Sequence, residues 1–205
     1  MQNAQCFENQ YKSNKNFLHY FFFRANKSEK GAEKSGSGIN DYVTSLFDQT
    51  LTWKDITWLK TLTHLPIVVK GILHPEDALI AIDHGVSAIM VSNHGARQLD
   101  GVEATVDALP AIISAVQKQN ANVEVYLDGG IRQGTDVIKA LALGAKMVCI
   151  GRPVLWGLAL NGQQGVELTL EILRKELDLA MALAGCTDSN NIDGKLVKTL
   201  SYSNL

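Results

Sequence analysis

Four short apolar segments, separated by helical patterns, constrain the fold of this 205-residue chain more than any other feature. They span residues 65–69, 88–91, 123–127 and 147–150, and they are rich in valine and isoleucine. Continuously apolar strands of this length are typical of parallel sheets covered by helices. The sequence therefore predicts an α/β fold built from βα units.

Helix start and end signals lie between the predicted strands. Pro75, followed by two acidic residues, favours the start of a helix that Gly85 can end. Further helices are predicted over residues 106–118, 135–143 and 166–184. In the last helix, apolar residues at helical spacing predict a buried stripe: Leu168, Ile172, Leu173, Leu177, Ala180 and Met181.

Each predicted strand ends at a residue that can serve a site: Lys70, Ser92, Asp128 and Gly151. Their spacing fits either a doubly wound sheet or a (β/α)₈ barrel. In both folds the functional site lies at the carboxyl ends of the strands. We therefore expect these four residues to meet at one edge of the sheet.

Composition excludes several classes of function. The formal net charge of −2 gives no electrostatic reason to expect nucleic acid or an anionic membrane as a partner. No apolar run approaches the roughly 20 residues of a membrane helix. Three cysteines without a C-x-x-C pair argue against a disulfide framework or a zinc site. Residues 1–38 are expected to be irregular, and residues 39–205 to form the folded part.

The segment after the second strand carries the strongest chemical signal. His94 and Arg97 lie three residues apart in one loop. A histidine can take a proton near neutral pH, and an arginine can hold a carboxylate with a bidentate fork. The pair suits a substrate whose carboxylate adjoins an oxidisable C–H bond. A polar loop with a structural histidine is the alternative.

The turns after the last two strands suit a phosphate. Two glycines let the backbone approach a ligand, and an arginine in each turn supplies positive charge. Ordinary tight βα turns, which also favour glycine, are the alternative. Lys70 could stabilise a reduced flavin or could be a solvent-exposed lysine. The candidate residues in the two turns are Asp128, Gly129, Gly130, Ile131, Arg132, Gly151 and Arg152.

Taken together, these motifs resemble the FMN-dependent 2-hydroxy-acid oxidases, the family of glycolate oxidase. The resemblance rests on residues 92–100 (SNHGARQLD), on residues 128–132 (DGGIR), and on Lys70 and Gly151. It covers about residues 37–197 and is nearest to the animal peroxisomal hydroxyacid oxidases. It implies a (β/α)₈ barrel of which this chain holds the last four βα units.

The resemblance also implies a role for each residue. His94 would take a proton from the substrate, Arg97 would hold the carboxylate, and Lys70 and Ser92 would contact the flavin. Asp128 would bind the ribityl chain of FMN. The phosphate would be bound by Gly130, Arg132, Gly151 and Arg152. The implied reaction converts a small (S)-2-hydroxy acid and O₂ into a 2-oxo acid and hydrogen peroxide.

The chain departs from the family pattern, because half of the eight strands have no counterpart in it. An inactive half-barrel is therefore one alternative. Another is a different phosphate-binding barrel, such as IMP dehydrogenase or isopentenyl-diphosphate isomerase, although neither carries the loop with His94 and Arg97. The full-length protein is expected to be a homo-oligomer. Residues 203–205 (SNL) resemble the S-K-L peroxisomal signal and favour that compartment.

Overall fold

The computed structural model describes residues 42, 46, 48, 50–119 and 121–199. Its strands are β1 (Val68–Ile72), β2 (Ala88–Val91), β3 (Glu124–Leu127) and β4 (Met147–Val148). Its helices are α1 (Trp53–Leu62), α2 (Pro75–Asp83), α3 (Thr105–Lys118), α4 (Gly134–Ala142) and α5 (Arg152–Leu183), and two 3₁₀ turns follow at Ser189–Asn191 and Gly194–Leu196. The predicted irregular segment 1–38 and residues 203–205 lie outside the described residues.

The four strands form one parallel sheet in the order β1-β2-β3-β4. Each strand pairs with the next strand along the chain, so the described sheet contains no reversal of strand order. A doubly wound sheet would place its site at such a reversal, whereas successive units of a barrel simply follow one another. The predicted series of four βα units is confirmed.

The first strand lies further along the chain than predicted. Its regular part begins at Val68, because Pro66 lacks the backbone N–H that a ladder requires. Its pairing shifts between Lys70 and Ile72 at a bulge, where Gly71 has a φ of 104°. Lys70 therefore lies within β1 and not after it.

One face of the sheet packs beneath the helices. Val69, Ile89, Val125 and Leu127 on this face are at most 4% exposed. Helix α2 packs against β1 and α3, α3 against β2 and β3, and α4 against β4. Burying an aliphatic side chain of this size stabilises a fold by roughly 1.5–3 kcal/mol. The helices contribute Ala78, Ala81, Ala108, Leu109, Ile112 and Ala140 to this core.

The opposite face of the sheet is less covered. The strand register places Lys70, Met90, Tyr126 and Met147 side by side across it. Met147 is 43% exposed, and Val68, in the row below, is 38% exposed. Parallel sheets are normally covered on both faces, so this face is unusually open for its class.

The last helix differs from its prediction in both length and burial. Helix α5 begins at Arg152, directly after β4, and breaks sharply at Asn161 and Gly162, where both residues leave helical geometry. The predicted buried stripe is wrong at Leu168 and Ile172, which are 60% and 47% exposed. The later part of α5 packs on α4 instead, and its other stripe residues are half-buried there.

The described residues divide into two units, with the boundary between His64 and Leu65. In the first unit, Asp55 caps the start of α1: its Oδ2 accepts from the backbone N–H of Thr52 at 2.6 Å and from the hydroxyl of Thr52 at 3.0 Å. The sequence did not predict this helix. Across the described ranges, no helix combines the length and the apolar character that crossing a bilayer requires.

Candidate active site

The ends of the first three strands bring Lys70, Ser92 and Asp128 together. Lys70 Nζ donates to Ser92 Oγ at 2.9 Å and lies 3.4 Å from Asp128 Oδ2. Ser92 is 1% exposed, so its hydroxyl is held in one place beneath the sheet edge. The parallel register, in which the carboxyl ends of adjacent strands coincide, brings together three of the four residues that were predicted to meet there.

One carboxylate oxygen of Asp128 could accept a hydrogen bond from a ligand. Asp128 Oδ1 is buried, yet it accepts no hydrogen bond from any residue in the described part of the chain. A buried carboxylate oxygen without a donor is costly and calls for an explanation. A ligand hydroxyl would satisfy it, as the ribityl chain of FMN could do.

Thr105, at the start of α3, holds the backbone that follows Asp128. Its hydroxyl donates to the carbonyl of Asp128 at 2.7 Å and is 3.3 Å from that of Gly129. Gly129 and Gly130 both have left-handed backbone, with φ of 92° and 79°. A Cβ on Gly130 would meet no atom within 4 Å, so the turn offers open space where a ligand can approach the backbone.

The loop after β2 makes an unusual turn. His94, Gly95 and Ala96 have consecutive positive φ values of 55°, 64° and 59°. The backbone N–H of His94 donates to Ser92 Oγ at 3.2 Å, and the N–H of Ala96 donates to Asn93 Oδ1 at the same distance. Through Ser92, the turn that carries the predicted base is tied to the cluster with Lys70.

The imidazole of His94 is half-buried and contacts Gln98. Gln98 Nε2 lies 3.0 Å from His94 Nδ1. With the amide nitrogen as donor, Nδ1 accepts and the ring proton lies on Nε2. A 180° rotation of the amide would present Oε1 to a protonated Nδ1 and leave Nε2 able to take a proton. The tautomer of His94 is therefore linked to the orientation of the Gln98 amide.

Arg152 reaches back to the same turn. Its Nη2 donates to the carbonyl of Gly95 at 3.0 Å, although 57 residues separate the two. Gly151, directly before it, has open space beside its α-carbon. The predicted phosphate arginine is thus held against the loop of His94, an interaction that spacing in the sequence did not indicate.

The other predicted residues take different positions. Arg97 is exposed on the turn, three residues after His94. Arg132 is also exposed, and its backbone N–H donates to Asp136 Oδ2 at 3.1 Å. The side chain of Ile131 is 6% exposed and belongs to the core, so only its backbone could meet a cofactor.

Cys149 lies next to the charged cluster. Burial raises the pKa of its thiol, the negative charge of Asp128 raises it further, and the positive charge of Lys70 partly offsets both effects. The thiol is therefore protonated at neutral pH. Its position at the end of β4 completes the row of strand ends that faces the site.

Sequence reasoning missed Thr105 and Gln98. Gln98 lies four residues after His94, a spacing that could have signalled a contact within one tight turn. Thr105 is 23 residues from Asp128 along the chain, and only the pairing of β2 with β3 brings them together.

This chain belongs to the FMN-dependent dehydrogenase family, whose model matches residues 2–199. The described sheet is accordingly part of a (β/α)₈ barrel, as the motifs predicted. The residues present fit the cofactor that the family name implies, because a buried carboxylate oxygen lacks a donor in the described part of the chain, and Gly130 and Gly151 leave open space beside their own α-carbons.

The chain is similar to several characterised relatives over part of their length. It is 58% identical to 2-hydroxyacid oxidase 1 of Mus musculus over 171 residues, which are 83% of this chain and 45% of that protein. It is 49% identical to a peroxisomal (S)-2-hydroxyacid oxidase of Arabidopsis thaliana over 164 residues, covering 80% of this chain and 44% of that protein. The chain therefore spans less than half the length of these relatives.

A solved structure supports the same relationship. A flavocytochrome b2 variant with pyruvate bound superposes with a TM-score of 0.73 and is 42% identical. The superposition covers 78% of this chain and 43% of that one. The likeness extends beyond motifs to the arrangement of the strands and helices.

Proposed function

We propose that the whole protein oxidises a small (S)-2-hydroxy acid to a 2-oxo acid with FMN as cofactor. The observation that carries this proposal is the joining of Lys70, Ser92 and Asp128 at one sheet edge, with the backbone of His94 bonded to Ser92. The names of the relatives support the substrate class.

Each residue has a distinct role in the proposed reaction. Arg97 binds the substrate carboxylate, and His94 takes the proton that leaves the acid as it loses two electrons. Asp128 binds the ribityl hydroxyls through its unsatisfied oxygen, and Lys70 supplies positive charge beside the flavin ring. FMN, when bound, supplies the two-electron acceptor, and its reoxidation reduces O₂ to hydrogen peroxide.

The remaining proposed cofactor residues serve the phosphate. Gly130 and Gly151 let the backbone approach it, and Arg132 and Arg152 supply positive charge. The proposed partners of the whole protein are the acid, O₂ and further copies of itself. A peroxide product suits a peroxisome, and the Arabidopsis relative is a peroxisomal enzyme by name.

A chimera tests the proposed function without requiring the 205-residue chain to be active alone. The segment of the mouse relative that matches this chain is replaced by the corresponding residues of this chain, and (S)-2-hydroxy-acid-dependent peroxide release is measured. We expect a yellow, active enzyme whose His94→Ala variant loses 10²- to 10⁴-fold in turnover while retaining flavin.

Two controls complete this experiment. His84→Ala, on the α2 side of the fold and outside the proposed site, is the matched variant and should leave turnover unchanged. Full turnover in His94→Ala would contradict its role as the base. An inactive, flavin-free chimera would favour the alternative that these residues form a non-catalytic half-barrel.

A further inference from the structure

The turn at residues 94–96 needs support from its surroundings. Left-handed backbone is disfavoured for residues that carry a Cβ, and both His94 and Ala96 adopt it here. Such a conformation persists only where neighbouring groups hold it in place. The groups that hold this turn therefore determine where His94 and Arg97 are presented.

Two of the restraints are local. Ser92 Oγ accepts from the N–H of His94, and Asn93 accepts from the N–H of Ala96 through both its side chain and its carbonyl, at 3.2 and 3.1 Å. These bonds lie within five residues of one another. They fix the local shape of the turn, and Ser92 links its first residue to Lys70, but neither bond reaches the turn after β4.

The third restraint comes from a different βα unit. Arg152, the first residue of α5, donates to the carbonyl of Gly95 at 3.0 Å. A Cβ on Gly95 would lie only 3.2 Å from the same Nη2, so the glycine permits this approach. This contact ties the turn after β2 to the turn after β4.

A guanidinium carries five N–H donors in a rigid plane, and the bond to Gly95 uses one of them. The others can bind an anion at the neighbouring Gly151. We propose that Arg152 is a positioning residue that couples binding of the cofactor phosphate to the position of the turn carrying His94 and Arg97. The ligand in this inference rests on the proposed function, whereas the contact with Gly95 exists without any ligand.

The coupling has a direction that can be measured. Without a phosphate, the exposed Arg152 side chain can leave Gly95, and the turn opens. A bound phosphate restrains the guanidinium plane, which in turn holds the Gly95 carbonyl and the residues on either side. The substrate-binding turn is then ordered by the cofactor before the acid arrives.

Hydrogen exchange of the 205-residue chain tests the contact without any ligand. In Arg152→Gln, amides of residues 94–98 should exchange about two- to tenfold faster than in the unmodified chain, as expected for the loss of one hydrogen bond. Arg152→Lys, which keeps the charge but not the fork, should give an intermediate rate. Arg132→Gln, the matched control at the other proposed phosphate arginine, should leave these amides unchanged.

Ligand additions test the coupling itself. In the flavin-free form of the chimera described above, saturating FMN should slow exchange of the turn, and riboflavin, which lacks the phosphate, should not. In Arg152→Gln, FMN that is shown to be bound by its fluorescence should no longer slow the turn.

Two outcomes would overturn the inference: equal ligand-free exchange in the unmodified chain and Arg152→Gln, or equal slowing by FMN and riboflavin. Failure of the chimera to bind FMN would instead count against the flavin site of this chain. The ligand-free comparison still decides the contact between Arg152 and Gly95 in that case.

Discussion

The pKa of the Cys149 thiol is sensitive to charge at the proposed flavin site, because Asp128 raises it and Lys70 lowers it. Its pKa lies above the ordinary value of 9.0, so folding disfavours the thiolate. The associated stability is present below that ordinary value and is lost as the pH rises through the raised pKa of the folded state.

Alkylation measures this effect directly. In a background with Cys6→Ser and Cys186→Ser, the midpoint of the iodoacetamide rate against pH should lie above that of the unfolded chain. Asp128→Asn should lower the midpoint, and Lys70→Met should raise it. Midpoints that stay fixed in both variants would show that burial alone sets the pKa.

Arg97 provides a second test at the residue scale. Arg97→Lys keeps the positive charge but removes the planar fork that matches a carboxylate. In the chimera, the KM for the hydroxy acid should rise roughly tenfold or more, the loss expected for a hydrogen bond between charged groups. Flavin content should not change, and an unaltered KM would exclude Arg97 as the carboxylate ligand.

Residues at strand ends were predictable, and their side-chain partners were not. Lys70, Ser92 and Asp128 follow from the rule that parallel strands end at one edge. The bond between Arg152 and Gly95 depends on how two distant turns fold over that edge, which no spacing in the sequence encodes. The same holds for Thr105, whose hydroxyl meets Asp128 only in the folded sheet.

At the scale of secondary-structure elements, clear start and end signals made the helices predictable. Pro75 begins α2 as predicted, α3 begins one residue earlier than predicted, and α4 is shifted by one residue at both ends. Helix α5 was only partly predicted, because Asn161 and Gly162 interrupt the pattern that precedes residue 166. Exposure of its apolar stripe could not be inferred, since periodicity identifies a face but not its partner.

A pair of glycines, one on each side of the break in α5, lets the two helical segments pack closely together. A Cβ on Gly157 or Gly165 would overlap the carbonyl oxygen of the other residue, so the two helical segments approach as closely as backbone allows. Gly165→Ala should therefore destabilise the chain by about 1–3 kcal/mol, the usual cost of overpacking.

Urea unfolding measures this change, with Gly194→Ala as the control. A Cβ on Gly194 would meet only the carbonyl of Ala142 at an ordinary 3.5 Å. Equal stability of the two variants would mean that the segments of α5 can separate at no cost.

At the scale of the whole molecule, the open sheet face is the dominant feature. Val68 and Met147 are substantially exposed on it, and apolar residues of α5 such as Leu155 and Trp156 are more than half exposed. Exposed apolar surface and unpaired strand edges both promote association.

We therefore expect the 205-residue chain alone not to be a flavin-loaded monomer. Light scattering should show dimers or larger species, and the absorbance spectrum should show little flavin. Adding the part of the mouse relative that this chain does not match should reduce association and increase flavin content. A monomer with stoichiometric FMN and oxidase activity would contradict this expectation.

The bulge at Gly71 has a consequence for how chains of this kind can vary in length. Because one additional residue lies between Lys70 and Ile72, the two side chains face opposite sides of the sheet although they are two positions apart. Deleting Gly71 would restore simple alternation and leave both side chains on their present sides. Deleting Val69 would instead shift the residues before it by one position, so that each of their side chains would face the opposite side of the sheet. A one-residue gap could therefore arise at Gly71 during divergence without losing either the lysine or the core.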